Sequence, residues 1–494
     1  MKYVIAFTFF FLSLEKFYSQ KSEFRGVWIA SVNNIDWPKN ALDSNEKKKE
    51  DFLKLIKFYK DLNFNAVIVQ IRTAGDAFYP TRFAPYSRFL TGKEGVSPQG
   101  DFDFTKWMID EAHKNGMEFH AWINPYRATT DLNKKNLSPK HDVFQHSDWM
   151  IQYGNRYYYD PGLPQVEAHL LKLSEEILDN YDIDALHFDD YFYPYKIAGK
   201  NFNDQNSYLK YREKNQSLEQ WRRSNVDSLI FKLHRLIEKK KPWVDFGISP
   251  FGIWRNKDRD PRGSDTRGGQ SNYDDLYADP LLWAEKGWID YLVPQLYWSL
   301  DYPVASHRVL AKWWNDNAAN TKIYIGNAPY KINDGKDRAW YQPKELEKQI
   351  ELARATKNIY GNVLFSAKSL LHHTQITQEL KHNIYQNPAL VPKTKRDSAE
   401  VLIPQVVRFS NLKAEIQIPE AQNMRWLCIY EKQSGVGEQN WILKDKVFVT
   451  GVEDTLVVLV EPFLGLENHA FSLIDLYKNE SQKVQIPEFV NELR

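Results

Sequence analysis

The sequence predicts an α/β fold, a (β/α)8 TIM barrel, followed by a small all-β sandwich domain. Short apolar segments alternate with amphipathic helical stretches from residue 24 to about residue 385. The segments are apolar nearly throughout, as strands covered on both faces must be. Eight strand–helix units over about 350 residues make one closed barrel. The alternative, a doubly wound open sheet, lacks the glycine-rich phosphate loop expected after its first strand. Beyond residue 387 the helical period stops and strand-like runs recur between turn residues, the pattern of a sandwich.

In chain order the strands fall in FRGVWIAS (24–31), FNAVIVQIR (64–72), MEFHAWINPYR (117–127), IDALHFDDYF (183–192), VDFGISPFG (244–252), IDYLVPQLYW (289–298), KIYIGNAPY (322–330) and NVLFSAKSL (362–370). Amphipathic stretches such as EKKKEDFLKLIKFYKDL, DFTKWMIDEAHKNG and PQVEAHLLKLSEEILDNY separate them, the second stopped by Gly116. Connections from strand to helix are long, above all from about Ala128 to Pro164 and through RNKDRDPRGSDTRGGQSNYDD. The returning turns are short. In a barrel this gathers loop length at the carboxyl ends of the strands, where catalytic sites are built.

The fourth segment, IDALHFDDYFYP, stops its apolar run in two carboxylates, Asp189 and Asp190. Neighbours on a regular strand point to opposite sides, so one is expected in the pocket and the other on a loop or neighbouring side chain. Carboxylates in such a place are hydrogen-bonded or functional. Other strand ends offer Arg72 and Asp76; His120, Trp122, Asn124, Tyr126 and Arg127; His187 and Tyr191 beside the pair; Trp254; Gln295, Tyr297 and Trp298; and Asn327. Amides, carboxylates and aromatic faces together suit a carbohydrate. No serine sits in a nucleophile elbow. Histidine spacing suited to a metal is missing, so neither metal nor other cofactor is expected.

With 43% hydrophobic and 26% charged residues the chain of 494 is ordinarily globular, and a net charge of +1 gives no footprint for nucleic acid. Residues 1–20 read as a cleavable export signal: Lys2, then YVIAFTFFFLSL, too short to span a bilayer comfortably. Export to the periplasm or medium is expected, with no transmembrane segment after cleavage. Nothing in the sequence speaks to oligomeric state. The single cysteine, Cys428, lies in RWLCIYE and is expected as a buried apolar residue.

The segments FRGVWIAS, NFNAVIVQIRTAGDAFYP, GMEFHAWINPYR, HFDDYFYP, GISPFGIWRN and YLVPQLYW resemble those of the glycosyl hydrolase-like 10 family, over about residues 23–385. The resemblance implies an exported TIM-barrel glycosidase of the cell envelope, an O-glycosyl hydrolase. Its implied substrate is the peptidoglycan glycan strand stripped of peptides. The rival expectation is a saccharide-binding barrel without catalysis.

IDALHFD is also similar in spacing to the DGxRxD pattern of alpha-amylase-like retaining barrels, whose last aspartate is the nucleophile. By that likeness Asp189 is the nucleophile candidate and Asp190 the second choice. The chitinase-like pattern would need an acid where this chain has Tyr191. A general acid must then come from a loop: Asp76 is preferred over Asp160, Asp258 and Asp260.

Four regions are expected: the signal at 1–20, a barrel at 21–386, a linker at 387–398 and a sandwich at 399–490. The closing run FSLIDLYKNES resembles the end of a fibronectin type III-like domain.

Overall fold

The structure, a computed structural model, describes residues 22–342, 344–395, 400–410, 413–432, 441–459 and 468–485. The expected export signal therefore lies outside the described residues. Eight parallel strands close a barrel: β1 (Phe24–Ile29), β2 (Ala66–Arg72), β3 (Glu118–Ile123), β4 (Ala185–Phe188), β5 (Asp245–Ile248), β6 (Tyr291–Leu292), β7 (Lys322–Asn327) and β8 (Ile359–Leu364). Each expected segment holds one of them, except that the eighth, expected at 362–370, starts earlier, at Ile359. Helices α1 (Asn45–Asp61), α2 (Phe104–Lys114), α3 (Pro164–Asn180), α4 (Leu218–Lys240), α5 (Pro280–Glu285), α6 (His307–Asn317), α7 (Glu345–Ala355) and α8 (Thr374–Glu379) follow the strands in turn.

Period decides which side chains go where. In α1, Phe52, Leu55, Ile56 and Tyr59 are buried, one stripe at helical spacing against the sheet. Along β4, Leu186 and Phe188 join the helix-side core while Ala185 joins the separate cluster inside the barrel. Phe24, Trp28, Ile68, Trp122, Tyr291 and Tyr324 fill that interior, so the barrel is packed rather than a pore. The long connection after β3 is not shapeless: Met150–Tyr153 and Arg156–Tyr159 pair as an antiparallel hairpin.

The C-terminal part is two antiparallel sheets. One is ordered β9 (Gln405–Ser410), β10 (Lys413–Gln417), β13 (Thr455–Leu459). The other is ordered β12 (Trp441–Phe448), β11 (Met424–Lys432), β14 (His469–Asp475), β15 (Val484–Gln485). Ala414, Ile416 and Val458 of the first meet Leu427, Phe471 and Leu473 of the second in one core. Cys428 is buried in a second small cluster with Trp426 and Tyr430. Burial pushes its thiol up to about 12, so it stays protonated.

This domain sits under the amino-terminal ends of the barrel strands. Arg425 forks onto Asp182 at 2.7 and 3.1 Å, with its Nε 3.4 Å from Asp184. Lys478 reaches Asp245 at 2.6 Å and Glu118 at 3.2 Å. The His113 ring stacks on Phe448, 4.5 Å between centroids. Residues read as a linker take part: Thr394 donates to Asp245, and Lys395 reaches Asp290 at 2.6 Å. Burial pushes the Asp184 carboxyl up, but Arg425 and His113 outweigh it and hold it well below the usual range.

Candidate active site

A cleft of about 360 Å³ opens at the carboxyl ends of the strands. β4 ends at Phe188, and Asp189 continues on the barrel-interior side that Ala185 and His187 occupy. The chain then bends at Asp190. With the strand finished, alternation no longer applies, and both carboxylates line the cleft. This corrects the expectation that only one of the pair would face the pocket, although Asp190 does also hold neighbouring side chains, as expected. The pair is 3% and 2% exposed.

The two are held differently. Asp189 accepts from Trp122 Nε1 at 3.0 Å, Asn124 Nδ2 at 3.1 Å and the Tyr191 amide at 3.2 Å. Burial raises its carboxyl, opposed first by the Arg127 guanidinium and then by those hydrogen bonds. Asp190 accepts from the Tyr195 hydroxyl and, at 3.1 Å, from Gln295 Nε2. Burial, and then the adjacent Asp189 charge, push it up to about 7. One carboxylate is thus clasped by donors while its neighbour holds a proton near neutrality. Tyr195 itself is raised by burial and the Asp190 charge, so its hydroxyl remains a donor.

Aromatic rings make the walls. On one side Tyr191 stacks on Tyr195 at 5.2 Å and Phe251 meets Trp298 edge-on at 5.7 Å. On the other, Tyr297 stacks on Phe365 at 5.9 Å and Trp28 meets Phe365 at 6.0 Å. Two cations enter the cleft. Arg127 lies 4.4 Å over the Tyr191 ring with its buried Nε unpartnered, and Lys331 donates to the Tyr297 carbonyl.

Among the residues expected from sequence, Trp122, Arg127, Asp189, Asp190, Tyr191, Gln295, Tyr297 and Trp298 line the cleft. The others do not. Asp76 is a local turn cap, accepting from the Thr73 amide and hydroxyl and the Ala74 amide. It is therefore not placed as the acid. Asp160 accepts from Ser207 and Gly162, Asp260 pairs with Arg255 and Arg262, and Asp258 is exposed.

Asn124 grips Asp189 from behind, and Arg72 donates to the Asn124 carbonyl at 2.8 Å, turned off the strand by a register shift after Gln70. Tyr126 belongs to the helix-side core. Trp254 donates to Asp279 at 3.0 Å, and Asn327 donates to Gln349 at 2.9 Å. His187 and His120 lie beneath the cleft floor, inside the barrel. Sequence reading passed over Trp28, Tyr195, Phe251, Lys331 and Phe365. Among these, Tyr195 carried a signal, as the last ring of the aromatic run after the aspartates. Among the described residues no three His, Cys, Asp or Glu side chains converge as a metal-binding group.

A closed parallel barrel with an acidic pair in an aromatic cleft at its carboxyl face defines a glycoside hydrolase-type protein. The glycosyl hydrolase-like 10 family model matches residues 23–342, and the chain belongs to that family. It is 47% identical over 378 residues to glycosyl hydrolase YngK of Bacillus subtilis, covering 75% of this chain and 73% of that one. It is 37% identical over 364 residues to glycosyl hydrolase DigH of Escherichia coli K12, covering 69% and 82%. Among solved structures, the PgaB (BpsB) glycoside hydrolase domain from Bordetella bronchiseptica superposes with a TM-score of 0.50 at 12% identity. That match covers 73% of this chain and 98% of that one, a likeness of fold.

Proposed function

We propose that the protein is a glycosidase that cleaves peptidoglycan glycan strands, with Asp190 as proton donor and Asp189 as nucleophile. The observation that carries this reading is the unequal pair. A glycosidase needs one carboxylic acid still protonated near neutrality and one carboxylate facing the anomeric carbon. Asp190, raised to about 7, fits the first role, and Asp189, oriented by three donors, fits the second.

In the first step the Asp190 proton passes to the departing glycosidic oxygen as the anomeric C–O bond breaks. The Asp189 carboxylate takes up the developing positive charge and bonds to that carbon. Water then releases the sugar, its proton returning to the anionic Asp190. The aromatic walls supply stacking surfaces for sugar rings. Arg127 and Lys331 suit a glycan bearing carboxylates, and strands stripped of peptides carry one on each lactyl group.

Export by the first 20 residues would bring the enzyme to this substrate. The sandwich strand order, β9-β10-β13 facing β12-β11-β14-β15, supports the fibronectin type III-like reading of the second domain.

The test is incubation of the protein with peptide-free peptidoglycan strands, the same strands with their carboxyl groups reduced, and neutral polysaccharides. New reducing ends are expected from the first, fewer from the second and few from the third. Binding with no new reducing ends on any of them would make the cleft a saccharide-binding site instead.

A further inference from the structure

Beneath the cleft floor a single file of hydrogen bonds runs down the barrel interior. Trp28 Nε1 donates to His187 Nε2 at 3.4 Å, and Ser249 Oγ lies 3.1 Å from the same nitrogen. His187 Nδ1 meets the Tyr291 hydroxyl at 3.0 Å, and that hydroxyl meets His120 Nδ1 at 2.7 Å. His120 Nε2 then meets Glu118 Oε2 at 3.0 Å, and Lys478 Nζ of the sandwich lies 3.2 Å from that same oxygen. The file therefore begins at residues of the cleft and ends in the other domain.

With both histidines neutral, its two ends require the same direction. An indole N–H only donates, so His187 Nε2 must be bare and its proton must sit on Nδ1, pointing at Tyr291. A carboxylate only accepts, so an ionised Glu118 requires the proton of a neutral His120 on Nε2. His120 Nδ1 is then the acceptor for the Tyr291 hydroxyl. Both conditions give one polarity, every donor pointing from the cleft toward Glu118. Burial holds His187 well below its ordinary range and so neutral.

We propose that Lys478 is a positioning residue for the cleft. By holding Glu118 as an anion it fixes the tautomers of His120 and His187, and so leaves a bare nitrogen under Trp28 and Ser249. The same residues can run the other way. With Glu118 neutral or absent, His120 carries its proton on Nδ1, Tyr291 donates upward, and His187 Nε2–H confronts the Trp28 N–H, donor against donor. Trp28 then loses its acceptor, and with it a fixed ring orientation in the cleft wall. Besides Lys478, Arg425 and Lys446 face Glu118 from the sandwich, while Asp245 and Tyr324 face Lys478 from the barrel. Among the described residues, Lys478 is the sandwich cation within ion-pair distance of Glu118.

The consequence for turnover rests on the glycosidase reading; the tautomers do not, which keeps the two tests separable. Full-length protein labelled with 15N-histidine is read by long-range proton–nitrogen correlation, with His120→Gln and His187→Gln assigning the signals. Wild type is expected to show His187 protonated on Nδ1 and His120 on Nε2. Glu118→Met keeps the Lys478–Asp245 contact, and so the domain docking, but removes the acceptor. It should invert both rings and move the Trp28 indole proton upfield. Lys478→Met should do the same, and Lys478→Arg should keep the wild-type pattern. In turnover, Lys478→Met is expected to lose about 10-fold in kcat, restored by Lys478→Arg. The proposal fails if wild-type His187 carries its proton on Nε2, or if folded Lys478→Met leaves both rings unchanged.

Discussion

At the scale of single residues, the neighbours Asp189 and Asp190 part company because their surroundings differ. Asp189→Asn keeps the side chain's shape but removes the charge that meets the anomeric carbon, and its new NH2 must face one of the donors that held a carboxylate oxygen. Its kcat is expected to fall by ~10³-fold or more while the protein still folds, with a lowered melting temperature. Asp190→Asn should be as damaging on a glycan yet milder on an aryl glycoside, whose leaving group needs no proton; equal losses on both would remove Asp190 from the acid role. Since the protonated form is the active one, kcat/KM should decline as pH rises through about 7. Tyr195 donates to the Asp190 anion and so favours it. Tyr195→Phe should move that decline upward by about one pH unit in a pH–rate profile. The same raised value costs stability. Below the ordinary carboxyl range Asp190 is neutral folded and unfolded; the penalty builds as pH climbs above that range and is complete by about 7. Above that pH, Asp190→Asn is expected to melt higher than wild type, by a margin on the order of 1–3 kcal/mol. Asp76→Ala, by contrast, should cost about 1–2 kcal/mol of turn stability and leave turnover within about threefold.

At the scale of elements, the strands were readable because a two-sided burial leaves an apolar run that no loop would carry. What happens one residue past a strand was not readable. Alternation holds as far as Phe188, and nothing in DDYFYP announces the bend that admits Asp190 to the cleft. Asp76 misled for a related reason: an acid just after a strand looks the same in sequence whether it faces a pocket or caps its own turn. Phe365 and Lys331 come from connections whose sequences have no polar signature of a site. The interior file has an element-scale requirement of its own. A Cβ on Gly247 of β5 would lie 1.9 Å from the Tyr291 ring, which is pinned by both histidines. Gly247→Ala should therefore lower the melting temperature by several degrees, a cost of about 1–3 kcal/mol or more. Gly269→Ala, with nothing within 4 Å of the new methyl, is the control and should melt with wild type.

At the scale of the whole molecule, the two domains are joined through buried charge as well as ring contacts. Arg425→Ala would leave the buried Asp184 with His113 but without its guanidinium, and up to about 3–5 kcal/mol of stability should go with it, read as a lower midpoint in urea. Because Asp184 is buried, raising the salt concentration should not reproduce that loss in the wild-type protein. Export is tested by fractionation: a processed protein outside the cytoplasm is expected, and full-length protein retained inside would remove the proposed substrate. The docking geometry also fixes which way the molecule faces. The sandwich contacts described above lie beneath the strands, and the cleft opens at the opposite end. A bead, a dye or a fused partner attached through the sandwich would thus stand behind the barrel and leave its mouth turned outward. Protein immobilised by that domain should digest an insoluble wall it is pressed against, while protein held by the loops of the mouth should not.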